Sequence, residues 1–322
     1  MPLKEIATDG IGVATISLVC LLSVLGLFCI YHSVCFHFWI LHRRRRDGFL
    51  HLYSYFTGPS LCRLTLLLFA IYWGLGEILR LSFLNKSQYG LLSDKSWRGK
   101  ICEFYVISNL GFAEPGMFLM LAFLLHAALQ RSEVGSLSPR WNRNTIGCVI
   151  LCCLPVVVWD VAVVFIAPQN DLLAQKKYFI ESSYGGNSTG TMVDSGVTCT
   201  YPLLSTIFLA AFYLILMIYV TYLATRVLVL VINKGLRRRI FILVFSVVTL
   251  LPVRVTLLGT LVLLKPELLA YEVVVFLSFF LVLCCIGVGI VILVYFPVAD
   301  MLALRDPEHI ELMRTQSDDI NL

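Results

Sequence analysis

Long apolar runs alternate with short polar stretches along the whole chain. Seven runs stand out, at about 11–40, 61–84, 104–129, 146–168, 202–232, 240–264 and 271–296. An α-helix rises 1.5 Å per residue, so about 20 apolar residues cross a hydrocarbon core. Lipid offers no partner to an open N–H or C=O, and runs of this kind therefore form helices. The pattern predicts an all-α membrane protein, a seven-transmembrane helix bundle. Residues 1–10 form a short N-terminal segment, 11–296 the membrane domain and 297–322 a tail. Runs one and five exceed what a bilayer needs, which predicts tilt or helix continuing beyond the membrane.

Composition agrees with the pattern. Of 322 residues, 59% are hydrophobic and only 14% charged, with a mean hydropathy of +0.86. Soluble domains carry about a quarter charged residues. The net charge of +5 therefore bears on orientation, and nucleic acid is not an expected partner. The short N-terminus has no basic n-region, short apolar core and cleavage site in series, so the first span is expected to act as an uncleaved anchor.

Basic residues gather on one side. Arg43, Arg44, Arg45, Arg46 and Arg63 flank the first connection, and Arg131, Arg140 and Arg143 the third. Arg226, Lys234, Arg237, Arg238 and Arg239 flank the fifth, and Arg305 and Arg314 lie in the tail. The opposite side holds fewer, among them Lys86, Lys95, Arg98, Lys176 and Lys177. The richer side is expected in the cytosol, which puts the N-terminus outside and the C-terminus inside. Two glycosylation sequons, at Asn85 and Asn187, fall on the expected outside. Of eleven cysteines, only Cys102 and Cys199 fall at that surface, where an oxidising compartment favours a bridge between them. The bridge would pin the polar, glycine-containing 169–200 connection, expected to be irregular, across the bundle. In the tail, Asp306-Pro307-Glu308 predicts the start of a short helix, with Asp as N-cap and Pro at the first helical position.

Six ionisable residues interrupt the apolar runs: Glu77, Arg80, Glu114, Asp160, Arg254 and Glu272. All fall at the middle or in the expected outer half. Charge at that depth is costly and marks structural pairs, a binding cavity or an ion path. Glu77 and Arg80, three apart, share a helix face. Across the bundle, Arg80 with Glu114, and Arg254 with Asp160 or Glu272, are the expected pairs. Their sum, four acids against two arginines, suits a basic or neutral polar ligand better than an anion. Pro115 and Pro252 are expected to bend spans three and six beside these charges.

An outward N-terminus, seven helices and a bridge from the top of helix three to the second outer connection resemble a G-protein-coupled receptor. Cys102, Cys199, the Pro252 kink and the basic inner connections carry the resemblance. The rhodopsin-like class departs from it at two places, where this chain has Gln130-Arg131-Ser132 and Tyr295-Phe296-Pro297. Three runs are similar to a plant family of seven-helix candidate G-protein-coupled receptors. They are Cys199-Thr200-Tyr201-Pro202-Leu203-Leu204, Val231-Ile232-Asn233-Lys234-Gly235-Leu236-Arg237 and Pro297-Val298-Ala299-Asp300. The resemblance implies a plasma-membrane receptor for a small outside ligand. Its cytosolic partner, a heterotrimeric G protein or another signalling protein, would meet Arg43–Arg46, Arg131, Lys234 and Arg237–Arg239.

Rival classes fit less well. A seven-helix zinc hydrolase needs several histidines on converging spans, whereas His32 and His37 lie in span one and His126 in span three. No lysine in 271–296 offers a retinal anchor. Repeated halves of a sugar transporter are not apparent. No metal, cofactor or enzymatic activity is expected; a transporter or channel using the intramembrane charges as an ion or proton path is the alternative function.

Overall fold

The computed structural model describes residues 2–44, 59–81, 95–134, 139–166, 183–185, 197–230, 234–265 and 268–303. Asn85, Asn187, Arg45, Arg46 and the helix expected from Asp306 lie outside the described residues, as do the side chains of Arg43, Arg44 and Arg131. Among the described residues, seven helical rods are long and apolar enough to cross a membrane. They are α1 (Pro2–Arg44), α2 (Ser60–Arg80), α3, α4, α5 (Leu203–Leu230), α6 (Lys234–Leu263) and α7. Three rods are composite. In α3, Lys95–Tyr105 passes through a π-helical stretch, Val106–Ala113, into Glu114–Val134. In α4, Pro139–Val161 ends in the π-helical Ala162–Ile166. In α7, Leu269–Ile290 continues through the π-helical Val291–Tyr295 into Phe296–Ala303.

Two of the π segments have a common cause in the sequence. Each ends two residues before a proline: Ala113 before Pro115 and Tyr295 before Pro297. Proline has no N–H, and its ring collides with the carbonyl four residues back. Widening the preceding turn moves that carbonyl aside and hands the hydrogen bond to an i→i−5 donor. The Glu114 N–H bonds Asn109 O and the Phe296 N–H bonds Val291 O, as this requires. By contrast, α4 and α6 run through Pro155 and Pro252 as α-helix.

α3 forms the axis. In its most apolar stretch 83% of residues are buried, against 28% to 44% in the other six spans. α1 packs on α2, α2 and α4 on α3, α5 on α3 and α6, and α6 on α7, which returns to α1. Small residues allow the close approaches, as membrane packing without a hydrophobic driving force demands. Gly74 of α2 meets Val19 of α1, Gly116 of α3 meets Phe69, and Gly289 of α7 meets Leu121 and Leu243. Trp73 of α2 stacks on Phe279 of α7 at 5.4 Å.

The 169–200 connection is not wholly irregular. Its described parts form an antiparallel ladder of β1 (Ser183–Gly185) with β2 (Val197–Cys199), in which Ser183 faces Cys199. Cys199 is joined to Cys102 of α3 by a disulfide, and its carbonyl accepts a 2.9 Å hydrogen bond from the Tyr271 hydroxyl of α7. The ladder is thus tied to two rods at once.

Candidate functional site

Two polar layers cross the bundle. The central one is built on Glu114, the first residue of the helix that follows the α3 π segment. Arg254 grips its carboxylate on both oxygens, Nε to Oε1 at 3.1 Å and Nη2 to Oε2 at 2.8 Å. The Tyr213 hydroxyl of α5 donates to Oε1 at 2.7 Å. The remaining guanidinium nitrogen, Nη1, donates to the Ser278 hydroxyl of α7. Both residues are 1% exposed. Four rods therefore meet on one bidentate ion pair, the geometry in which arginine and carboxylate bind most strongly.

The second layer lies nearer the disulfide. Glu77 of α2 takes Arg80 Nε on Oε2 at 3.1 Å. Its Oε1 accepts the Tyr105 hydroxyl at 2.7 Å and Asn109 Nδ2 at 3.2 Å, both from α3. The hydroxyls of Tyr105 and Tyr201 lie 3.1 Å apart, and the Arg80 guanidinium sits 5.9 Å from the Tyr105 ring centre. Burial pushes the Tyr201 hydroxyl above its ordinary range, with Arg80 pulling it the other way. That phenol therefore stays neutral and can donate.

These contacts revise the expected pairing. Arg80 is held by Glu77, one turn away on its own helix, and not by Glu114. Arg254 is held by Glu114, and not by Asp160 or Glu272. The reason is rotational: α6 packs against α5 and α7 and turns Arg254 toward the axis, where Glu114 projects from α3. Glu272, half-buried at the disulfide end of α7, acts instead on Arg80. Of the six charges, Glu77, Arg80, Glu114, Asp160 and Arg254 are buried and Glu272 is half-buried.

Asp160 stands apart, at the junction of α4 with α3 and α5. Its Oδ2 lies against the π segment, 2.5 Å from where a β-carbon on Gly111 would sit. Gly111→Ala is therefore expected to push the carboxyl out of place and destabilise the protein by about 1–3 kcal/mol. Thermal unfolding in detergent checks this, with Gly147→Ala as control, because nothing lies within 4 Å of an added carbon there.

At the far end of the bundle, Lys234, Arg237 and Arg238 are exposed in the first turns of α6. Arg239 turns inward, with its guanidinium 3.9 Å from the Phe296 ring centre. Among the described residues, no three His, Cys, Asp or Glu side chains are grouped to hold a metal.

Tyr105, Asn109, Tyr201, Tyr213 and Ser278 complete the layers without having been singled out from the sequence. A lone hydroxyl or amide in an apolar run carries little signal. Only the demand that every buried charge find partners points to such residues.

The family described as uncharacterised conserved protein UCP031277 matches the chain over residues 1–312. No curated protein matches it.

Proposed function

The chain belongs to that family, and on this premise we propose a non-enzymatic receptor of the G-protein-coupled type in the plasma membrane. Its N-terminus faces out and its tail lies in the cytosol, in keeping with the bias of basic residues. Two outward connections are glycosylated, one at Asn85 and the other at Asn187. A small neutral or basic ligand approaches from the disulfide end, where Glu272 and the Glu77 layer supply polar groups. The observation that carries this reading is the Glu114–Arg254 pair, a single contact on which α3, α5, α6 and α7 converge.

A ligand that competes for either partner favours a bundle with the pair open. A two-state element of this sort shifts only as far as the ligand's differential affinity allows, about 10⁴-fold for a swing from 1:99 to 99:1. Arg254 lies two residues past Pro252 on α6, so releasing it frees that rod to pivot. Its far end carries Lys234, Arg237 and Arg238 to a heterotrimeric G protein or another acidic cytosolic partner.

The test is guanine-nucleotide uptake by a heterotrimeric G protein beside the receptor in nanodiscs. Glu114→Gln is expected to raise the ligand-free rate roughly fivefold or more. Equal rates with and without the receptor, in wild type and variant alike, contradict coupling. Asp160, a buried carboxyl outside both ion pairs, favours the transport alternative; proteoliposome flux that Asp160→Asn abolishes would replace the receptor reading.

A further inference from the structure

Among the described residues, the buried carboxyls are Glu77, Glu114 and Asp160. Arginines hold the first two. Asp160 is 1% exposed and its Oδ1 makes no hydrogen bond. The Ser205 hydroxyl of α5 lies beside this carboxyl, although neither buried oxygen, Asp160 Oδ1 nor Ser205 Oγ, makes a well-formed hydrogen bond. Two orphaned oxygens thus face one junction, roofed by the Gly111 backbone of the α3 π segment.

Among the described residues, the buried charges on the surrounding rods are already committed. On α2, Glu77 and Arg80 hold each other. On α3, Glu114 is taken by Arg254, and the Tyr213 hydroxyl of α5 is spent on that same carboxylate. An ionised Asp160 would then be buried with Arg80 and Arg254 both engaged elsewhere, which is far costlier than a neutral carboxyl. Buried polar atoms are rarely left unpaired, so each such case needs a cause.

We propose that Asp160 and Ser205 form a proton-binding site. The carboxylate takes up one proton and becomes a neutral carboxyl that shares a hydrogen bond with Ser205, closing the α3–α4–α5 junction. When α4 parts from the π segment, water reaches the group, the O–H bond breaks and the proton leaves to solvent. The added proton removes the buried charge and leaves a carboxyl that can donate to Ser205 or accept from it. The site requires neither a receptor nor a transporter role, so it stands or falls independently of the function proposed above.

Infrared difference spectroscopy of the protein in lipid nanodiscs tests this, with hydrogen–deuterium exchange to identify carboxyl bands. Wild type should show the C=O stretch of a protonated carboxyl that Asp160→Asn removes and Glu114→Gln keeps. Ser205→Ala should shift that band without abolishing it, because the hydrogen bond is lost and the proton is not. Asp160→Asn, nearly isosteric with the neutral acid, should melt within roughly 2 °C of wild type. A spectrum in which Asp160→Asn removes no such band overturns the proposal. So does a melting temperature raised by sodium over choline in wild type and not in the variant, which marks a metal cation in place of the proton. If Asp160→Asn does not fold, Ser205→Ala decides: a carboxyl band that it leaves unshifted counts against the site.

Discussion

Arg254→Gln destabilises the protein by about 3–5 kcal/mol, the cost of leaving a buried charge without its partner. Glu114 would keep the Tyr213 hydroxyl but lose both guanidinium contacts. Glu114→Gln is expected to cost a similar amount, because Arg254 keeps Ser278 and one amide oxygen but loses the bidentate carboxylate and its charge. The informative variant carries both changes, Glu114→Met with Arg254→Met. Replacing a buried pair together by apolar groups of similar volume is often neutral or stabilising. The double variant should therefore unfold closer to wild type than either single one does, in a thermal or denaturant series in detergent. Additive losses would mean that the pair is not the unit holding these helices.

The second large effect belongs to the disulfide. Cys102 and Cys199 lie 97 residues apart in sequence, so the bridge closes a long loop. Removing a native disulfide costs about 2–5 kcal/mol, and chain-entropy reasoning puts long loops at the upper end. Cys102→Ser with Cys199→Ser is expected to lower the melting temperature and to expose the outer layer selectively. Tyr271 hydrogen-bonds the Cys199 carbonyl, and Tyr201, two residues on, touches Tyr105. Hydrogen exchange should rise at 199–205 and at the start of α7 while the Glu114 layer stays protected. Uniform loss of protection would show the bridge supporting the whole bundle.

The membrane class was legible from hydropathy alone, because a span is a one-dimensional property of the chain. The limits of α3 and α6 were less so. Lys95–Tyr105 and Lys234–Arg239 are helical although polar, since a helix does not stop where the lipid does. The bridge was legible because only two cysteines fell on one side. Which charges pair was not, because hydropathy gives depth but not rotation about a helix axis. Glu114 and Arg254 were each singled out as charges in apolar runs, yet their contact depends on how α6 turns. Two of the π segments left a trace in prolines, which announce a break in the i→i−4 ladder but do not say whether it becomes a kink or a widened turn. Tyr213 and Ser278 left no trace, being ordinary side chains until a buried charge sits beside them.

The central claim is that the Glu114–Arg254 pair holds α6 against the bundle. It is tested most directly by the distance between Arg143 on α4 and Leu236 on α6, both exposed at the same end of the bundle. Spin labels attached there through non-natural amino acids, in nanodiscs, report the distribution by pulsed electron resonance. The account predicts one distance population in wild type and a second, longer one in Glu114→Gln. A single distribution that Glu114→Gln leaves unchanged would contradict it.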